Sequence, residues 1–331
     1  MKIVTPLLDA DGYIDLVEAG ADEFFCGFIP YEWLKKNNNS IPLNRREQLL
    51  NCNISSLSSM KILRKRIEKY GAEVKITLNS LYYNEENYGI VLNMIKELMA
   101  IGYTTFIIAD LALIIYLREQ GIDCKIHLSG ENSDVNHWSI NFFNNYDISR
   151  YIFTRKNTVE QIKSCIENCN KTNLEFEAFI LNELCAYSGA YCNSIHSDEI
   201  LHACNIPYLR TRLDDNSDKF RGVKKIHKLV NQNTLLSLDA PKNKDVQCLK
   251  EEYVFAKTGC GICAIKRLMD VGITHFKVVG RGKPLNQVVQ DVKNLRDCIE
   301  MAQKENSDTE YVQKVKEKYF ESVCKTVCYY P

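Results

Sequence analysis

Five cysteines stand where a metal or a cluster could be held: Cys185 and Cys192 in the run Cys-Ala-Tyr-Ser-Gly-Ala-Tyr-Cys, then Cys204, then the pair Cys260 and Cys263 in Cys-Gly-Ile-Cys. Four thiolates suffice for an iron–sulfur cluster and equally for a structural zinc. The long, uneven spacing and the single CxxC argue against a compact zinc ribbon, and a third reading makes these thiols buried packing groups. A second set of residues offers acid–base and anion chemistry. His127, near the end of a predicted strand, is the side chain type best suited to proton transfer near neutral pH, and Glu131 follows it in the loop. Arg155, Lys277 and Arg281 could hold an anion, arginine through a bidentate fork. Asn79 and Asp110 add hydrogen-bonding groups for a substrate.

These residues need a scaffold, and the chain alternates β-rich runs with helical patterns, the mark of βα units and a parallel sheet. Strands are predicted over 2–6, 22–28, 73–78, 104–109, 123–128, 149–153, 174–181 and 274–279. Helices are predicted over 58–70, 86–100, 111–120, 134–146, 158–168, 261–271 and 285–303, with a short strand at 235–238. The phrase helix, glycine, strand recurs at Gly20, Gly71, Gly102 and Gly272, each suited to a left-handed C-cap. Eight strands with right-handed crossovers predict a (β/α)8 TIM-like barrel. An open doubly wound sheet is the alternative, but Thr5-Pro6-Leu7-Leu8-Asp9 stands where a glycine-rich phosphate loop would follow the first strand. The barrel is expected to span 1–304, with a cysteine-rich insertion over 182–263 after its seventh strand. A helical tail over 305–331 would set Cys324 and Cys328 on one face. Barrel enzymes carry function at the C-terminal strand ends, where Asn79, Asp110, His127, Glu131, Arg155, Lys277 and Arg281 fall; Cys26 ends the second strand and is expected to face the same mouth.

Hydrophobic residues make up 45% and charged residues 25%, as in ordinary globular proteins. Lys plus Arg and Asp plus Glu both number 42, so the basic surplus of a protein built mainly to grip phosphates is missing. No secretory pattern follows Met1-Lys2, and the most apolar stretch, 106–117, carries Asp110 and is too short to span a bilayer of about 20 residues. A cytoplasmic location without membrane contact is expected. There, 14 cysteines point to metal or cluster binding rather than to disulfides.

The sequence also resembles the collagenase-like proteins, family thirty-two of the unknown-type (U) peptidases. The resemblance is carried by Glu18-Ala19-Gly20-Ala21-Asp22-Glu23, by Ile126-His127-Leu128-Ser129, and by Leu184-Cys185 with Tyr187-Ser188-Gly189 and Cys192. It continues through Ala203-Cys204 with Pro207-Tyr208, Leu235-Leu236-Ser237-Leu238, and His275-Phe276-Lys277-Val278 with Gly280-Arg281. It implies an aldolase-like barrel and, as in several members, a [4Fe–4S] cluster on Cys185, Cys192, Cys204 and Cys260, with Cys263 in reserve and zinc as the alternative. Departures from the family pattern are Glu131 in place of glutamine, Lys156 in place of an acid and Val279 in place of glutamate. The activity so implied is an oxygen-independent, hydroxylation-type modification of a small molecule, peptide or nucleobase. Its partners would be an electron donor or a second barrel subunit, since members work in pairs, and its substrate an anionic small molecule, a peptide or RNA. The alternatives are a peptidase and a cluster-bearing subunit of a heterodimer. For a peptidase, neither a His-Glu-x-x-His nor a Gly-x-Ser-x-Gly motif is present.

Overall fold

In a computed structural model of the protein, the described residues are 1–37, 42–46, 52–132, 135–170, 172–185, 253–320, 324 and 327–331. The chain divides into two compact units, Met1–Cys204 with Val254–Pro331, and Asn205–Tyr253; the barrel belongs to the first. Its strands are β1 (Lys2–Pro6), β2 (Glu23–Phe28), β3 (Asn53–Ile54), β4 (Glu73–Leu78), β5 (Thr105–Ile108), β6 (Lys125–Leu128), β7 (Ile148–Ile152), β8 (Glu175–Leu181) and β9 (His275–Val278). All pair in parallel, and β1 pairs with both β2 and β9, which closes an eight-stranded barrel. The two-residue β3 hangs on the outer part of β2. This is a TIM-like (β/α)8 fold.

The helices are α1 (Tyr13–Glu18), α2 (Tyr31–Asn37), α3 (Leu57–Tyr70), α4 (Glu85–Ile101), α5 (Leu111–Glu119), α6 (His137–Phe143), α7 (Val159–Glu167), α8 (Ile265–Asp270), α9 (Leu285–Lys304) and α10 (Asp308–Tyr319). Their ends follow local chemistry. Ser56 accepts from the Ser59 N–H to start α3, and Gly71 ends it at φ 84°, a left-handed turn that a Cβ would strain. Asn136 and Thr158 begin α6 and α7 with reciprocal capping boxes.

Strand residues alternate between two environments. Ile3, Phe24, Ile76, Phe106, Ile126 and Phe276 point outward and are fully buried beneath the helices. The inward set holds many polar residues, Glu23, Lys75, Thr77, His127, Arg150, Glu177, His275 and Lys277, all buried, with Phe25, Ile107 and Phe179 among them. Barrels of this kind usually fill their interior with branched aliphatic side chains. Here the interior is charged, so its members must neutralise one another.

The C-terminal tail departs from the expected helix. After α10 the segment 327–331 pairs with Cys260, whose N–H donates to Val327 O at 2.9 Å while Tyr329 N–H donates to Cys260 O at 2.8 Å. Cys328 therefore lies in a backbone bridge rather than on a helix face. Cys26 alternates to the outer face of β2, beside Tyr103, and does not face the mouth. The expected strand at 235–238 lies outside the described residues. Among the described residues no helix is long and apolar enough to cross a membrane.

Candidate functional site

The site rests on a buried charge network. Arg150 on β7 reaches Glu175 at 2.7 Å, Glu23 at 2.9 Å and Glu177 at 2.9 Å, and its Nη2 lies 2.8 Å from His275 Nε2. Burial opposes ionisation of Glu23, but contact with His275 and the charges of Arg150 and Lys75 outweigh it and hold the carboxyl well below the usual range. Burial likewise opposes ionisation of Glu177, and Lys277 and Arg150 overcome it. At His127 the pull of Glu23 is outweighed. Burial and the charges of Arg150 and Lys75 drive its imidazole well below 6.5, so it is neutral, with Nδ1 lacking a partner among the described residues.

Above this network a cavity of ≈ 590 Å³, its open mouth included, lies at the C-terminal ends of the strands. Five of the residues named from sequence line it: Asn79, Glu131, Arg155, Lys277 and Arg281. Lys277 Nζ donates to Glu177 at 2.7 Å and sits 4.1 Å above the Phe25 ring. Burial lowers its pKa, against the pull of Glu177. Glu131 stands on the turn after β6, where a Cβ on Gly130 would lie 2.9 Å from Phe153 O, so glycine lets the turn pass close to β7. Its carboxylate accepts from Arg155 at 3.0 Å and lies 3.7 Å from Arg45 Nε. The Arg155 guanidinium covers the Phe179 ring at 4.1 Å. A tethered acid between two arginines, over an aromatic wall, can orient a planar polar ring and exchange a proton with it.

Two residues named from sequence lie elsewhere. His127 sits beneath the cavity among the interior charges. Asp110 does not line the cavity; its carboxylate caps α5 through Ala112 N–H at 2.9 Å and Leu113 N–H at 3.3 Å, and also accepts from Tyr83 N–H. Sequence reasoning missed Arg46 and Glu183, a 2.5 Å pair in the cavity wall, and Arg150 and Glu177 below it. Polar alternation along β8 was the available signal for Glu177, whereas Arg150 directly follows Ser149 on β7 and breaks any alternation there. For Arg46, on the loop after α2, there was none. That loop is held by Arg45 N–H donating to Asn79 Oδ1 at 3.3 Å.

Cys192 and Cys204 lie outside the described residues. Cys185 is half-buried and neighbours Arg155 and Tyr329. Its segment runs beside that of Cys260: Asn182 N–H donates to Gly259 O at 2.8 Å and Leu184 N–H to Thr258 O at 2.9 Å. The thiols of Cys298, Cys263 and Cys260 lie around the buried Tyr311 hydroxyl, and burial pushes the Cys263 thiol up. Among the described residues no three cysteine, histidine or acidic side chains are grouped to hold a metal ion.

The model of peptidase family U32 matches residues 9–329. The chain belongs to peptidase family U32. This U32 chain is 22% identical to "tRNA hydroxylation protein P2" of Bacillus subtilis over 97% of its own length and 91% of that protein. It is 29% identical to "tRNA hydroxylation protein P1" of the same organism over 39% of its length, covering 30% of P1. It is 21% identical to "Collagenase" of Porphyromonas gingivalis over 90% of its length and 65% of that protein. The U32 family thus joins this barrel to relatives named for RNA hydroxylation and for proteolysis alike.

Proposed function

We propose that this U32 protein carries out an oxygen-independent, hydroxylation-type modification of a nucleobase in RNA, with the base entering the cavity at the barrel mouth. The observation that carries this reading is the placement of Glu131 between Arg155 and Arg45 over the Phe179 wall. The planar Arg155 guanidinium, backed by the Phe179 ring, suits an unstacked base, and bases that undergo chemistry must leave their stack to reach a pocket. Glu131 would accept or return the proton at the reacting base, with Arg155 keeping the carboxylate in position. The names of the P1 and P2 relatives support the same reaction class.

A [4Fe–4S] cluster on Cys185, Cys192, Cys204 and Cys260 would supply redox or electrophilic chemistry. The pairing of the 182–184 segment with 258–259 fits that set, since it runs the chains bearing Cys185 and Cys260 side by side. Its donors are all thiols, the ligands such clusters use. The protein would act in the cytoplasm, together with an electron donor or a second U32 barrel. A peptidase needs a nucleophile next to a base; of the cavity-wall hydroxyls, Ser129 accepts from Glu131 N–H at 3.2 Å, and Thr77 donates to Cys26 O and accepts from Arg281.

The test is anaerobic reconstitution with iron and sulfide, followed by incubation with unmodified RNA, water as the oxygen source and a two-electron acceptor to take up the electrons released, alone and with a second U32 chain. Nucleoside mass spectrometry should show one nucleoside gaining an oxygen atom. No such product in any combination, together with reproducible peptide cleavage, would reverse the reading.

A further inference from the structure

The cations around the cavity are not equally compensated. Lys277 has Glu177, Arg155 and Arg45 share Glu131, and Arg46 has Glu183. Arg281, only 6% exposed, is in ion-pair contact with no carboxylate among the described residues; Glu183, already paired with Arg46, pulls on it only from a distance. Its Nη1 donates to Thr77 Oγ1 at 3.1 Å and its Nη2 to Asn44 Oδ1 at 3.0 Å, both neutral acceptors, and its Nε has no partner among the described residues. A guanidinium carries five N–H donors in a planar fork, and two of them are engaged among the described residues. The two thiols beside it do not supply the missing charge: burial pushes Cys26 up to about 12, and it raises Cys52 as well.

The fold makes room for this cation. A Cβ on Gly27 would stand 2.8 Å from Arg281 Nη1, so only a glycine lets the guanidinium rest against β2. Gly280 and Gly282, at φ 112° and 111°, place Arg281 between two left-handed turns just after the last barrel strand. Loops after the last barrel strands commonly hold a phosphate group in barrels of this kind. A buried cation without a counter-charge is unfavourable, and an anionic ligand removes that penalty.

The geometry points to Arg281 as the cationic wall of an oxyanion subsite, which takes a carboxylate or phosphate group of the substrate or co-substrate. The subsite rests on the reading above only in treating the cavity as the place where substrate binds. An oxyanion with two coplanar oxygens matches the guanidinium fork. Carboxylate and phosphate are the two sources of that chemistry, and they separate by titration.

Malonate, inorganic phosphate, uridine monophosphate and uridine are each titrated against the full-length protein at constant ionic strength, with the thermal midpoint as readout. A saturable rise with at least one anion, and none with uridine, is expected. Malonate alone would assign a carboxylate co-substrate; the nucleotide or inorganic phosphate would assign a phosphate group. Arg281→Met should weaken the response at least tenfold, whereas Lys156→Gln, which removes an exposed cation near the mouth, should leave it unchanged. If Arg281→Met does not fold, Arg281→Lys keeps the charge, loses the fork and should weaken binding at least tenfold. No saturable response in the wild-type protein, or an unaltered response in the Arg281 variant that folds, overturns the subsite. Because this readout needs no turnover, anion binding without RNA oxidation would count against the nucleobase reading and leave the subsite standing.

Discussion

Glu177 on β8 and Lys277 on β9 meet inside the barrel with 2.7 Å between carboxylate and amine, the first wholly buried and the second 6% exposed. Lys277 is also part of the cavity wall, so this pair joins the charged interior to the site above it. Removing one member of a buried pair costs more than the pair contributes, because the survivor keeps its desolvation penalty. Glu177→Gln should therefore lower the unfolding free energy by about 3–5 kcal/mol. The double variant Glu177→Gln/Lys277→Met should recover part of that loss in urea denaturation, a coupling that independent sites would not show.

Acid should unfold the protein in two separable windows. His127 is neutral in the fold, so below pH 6.5 the unfolded chain binds a proton the folded one refuses, and stability falls as pH falls. The carboxyls of Glu23 and Glu177 are depressed below 4.5, so their stabilisation is complete above that pH and is lost as pH falls through their lower folded values. His127→Gln should flatten the stability curve between 6.5 and 4.5; Glu23→Gln should lower the whole curve but alter its slope only below 4.5. Unfolding free energies measured across both windows check the assignment; a His127 variant with an unchanged upper limb would contradict it.

Glu131 is tied to Arg155 at 3.0 Å in the cavity. If it moves the proton, Glu131→Gln should lower kcat by about 10²–10⁴-fold with little change in KM. An effect confined to KM would make Glu131 a binding group instead.

Bound iron should discriminate among the thiols. Serine at Cys185, Cys192, Cys204 or Cys260 should deplete iron and the visible absorption of the reconstituted protein, and serine at Cys263 should leave both near wild type. Depletion by Cys263→Ser with retention in Cys260→Ser would exchange the two.

Gly27→Ala tests the cradle of Arg281. Its Cβ would fall 1.9 Å from Asn53 Oδ1 and 2.8 Å from Asn44 Nδ2, so the loop that holds Asn44 must move. Such overpacking should cost about 1–3 kcal/mol in denaturant titration, and it should abolish any anion-dependent rise of the thermal midpoint.

By itself the sequence determined the periodic parts of this protein. Strand alternation, helical spacing and the glycines at Gly71 and Gly102 are set by near neighbours, so all eight barrel strands were legible, and Glu131, Arg155, Lys277 and Arg281 could be assigned to the mouth from strand ends alone. Only the tertiary structure decided which of these groups meet. Arg281 and Asn44 are 237 residues apart in the chain, and Arg46 and Glu183 are 137 apart. Asp110 looked like a mouth residue, but the free N–H groups of α5 claim its carboxylate. Residues 327–329 run beside Cys260 because its backbone offers them a hydrogen-bonding edge. Closure of the barrel puts eight inward faces into one small volume, and charge neutralisation there depends on distances that no local pattern encodes.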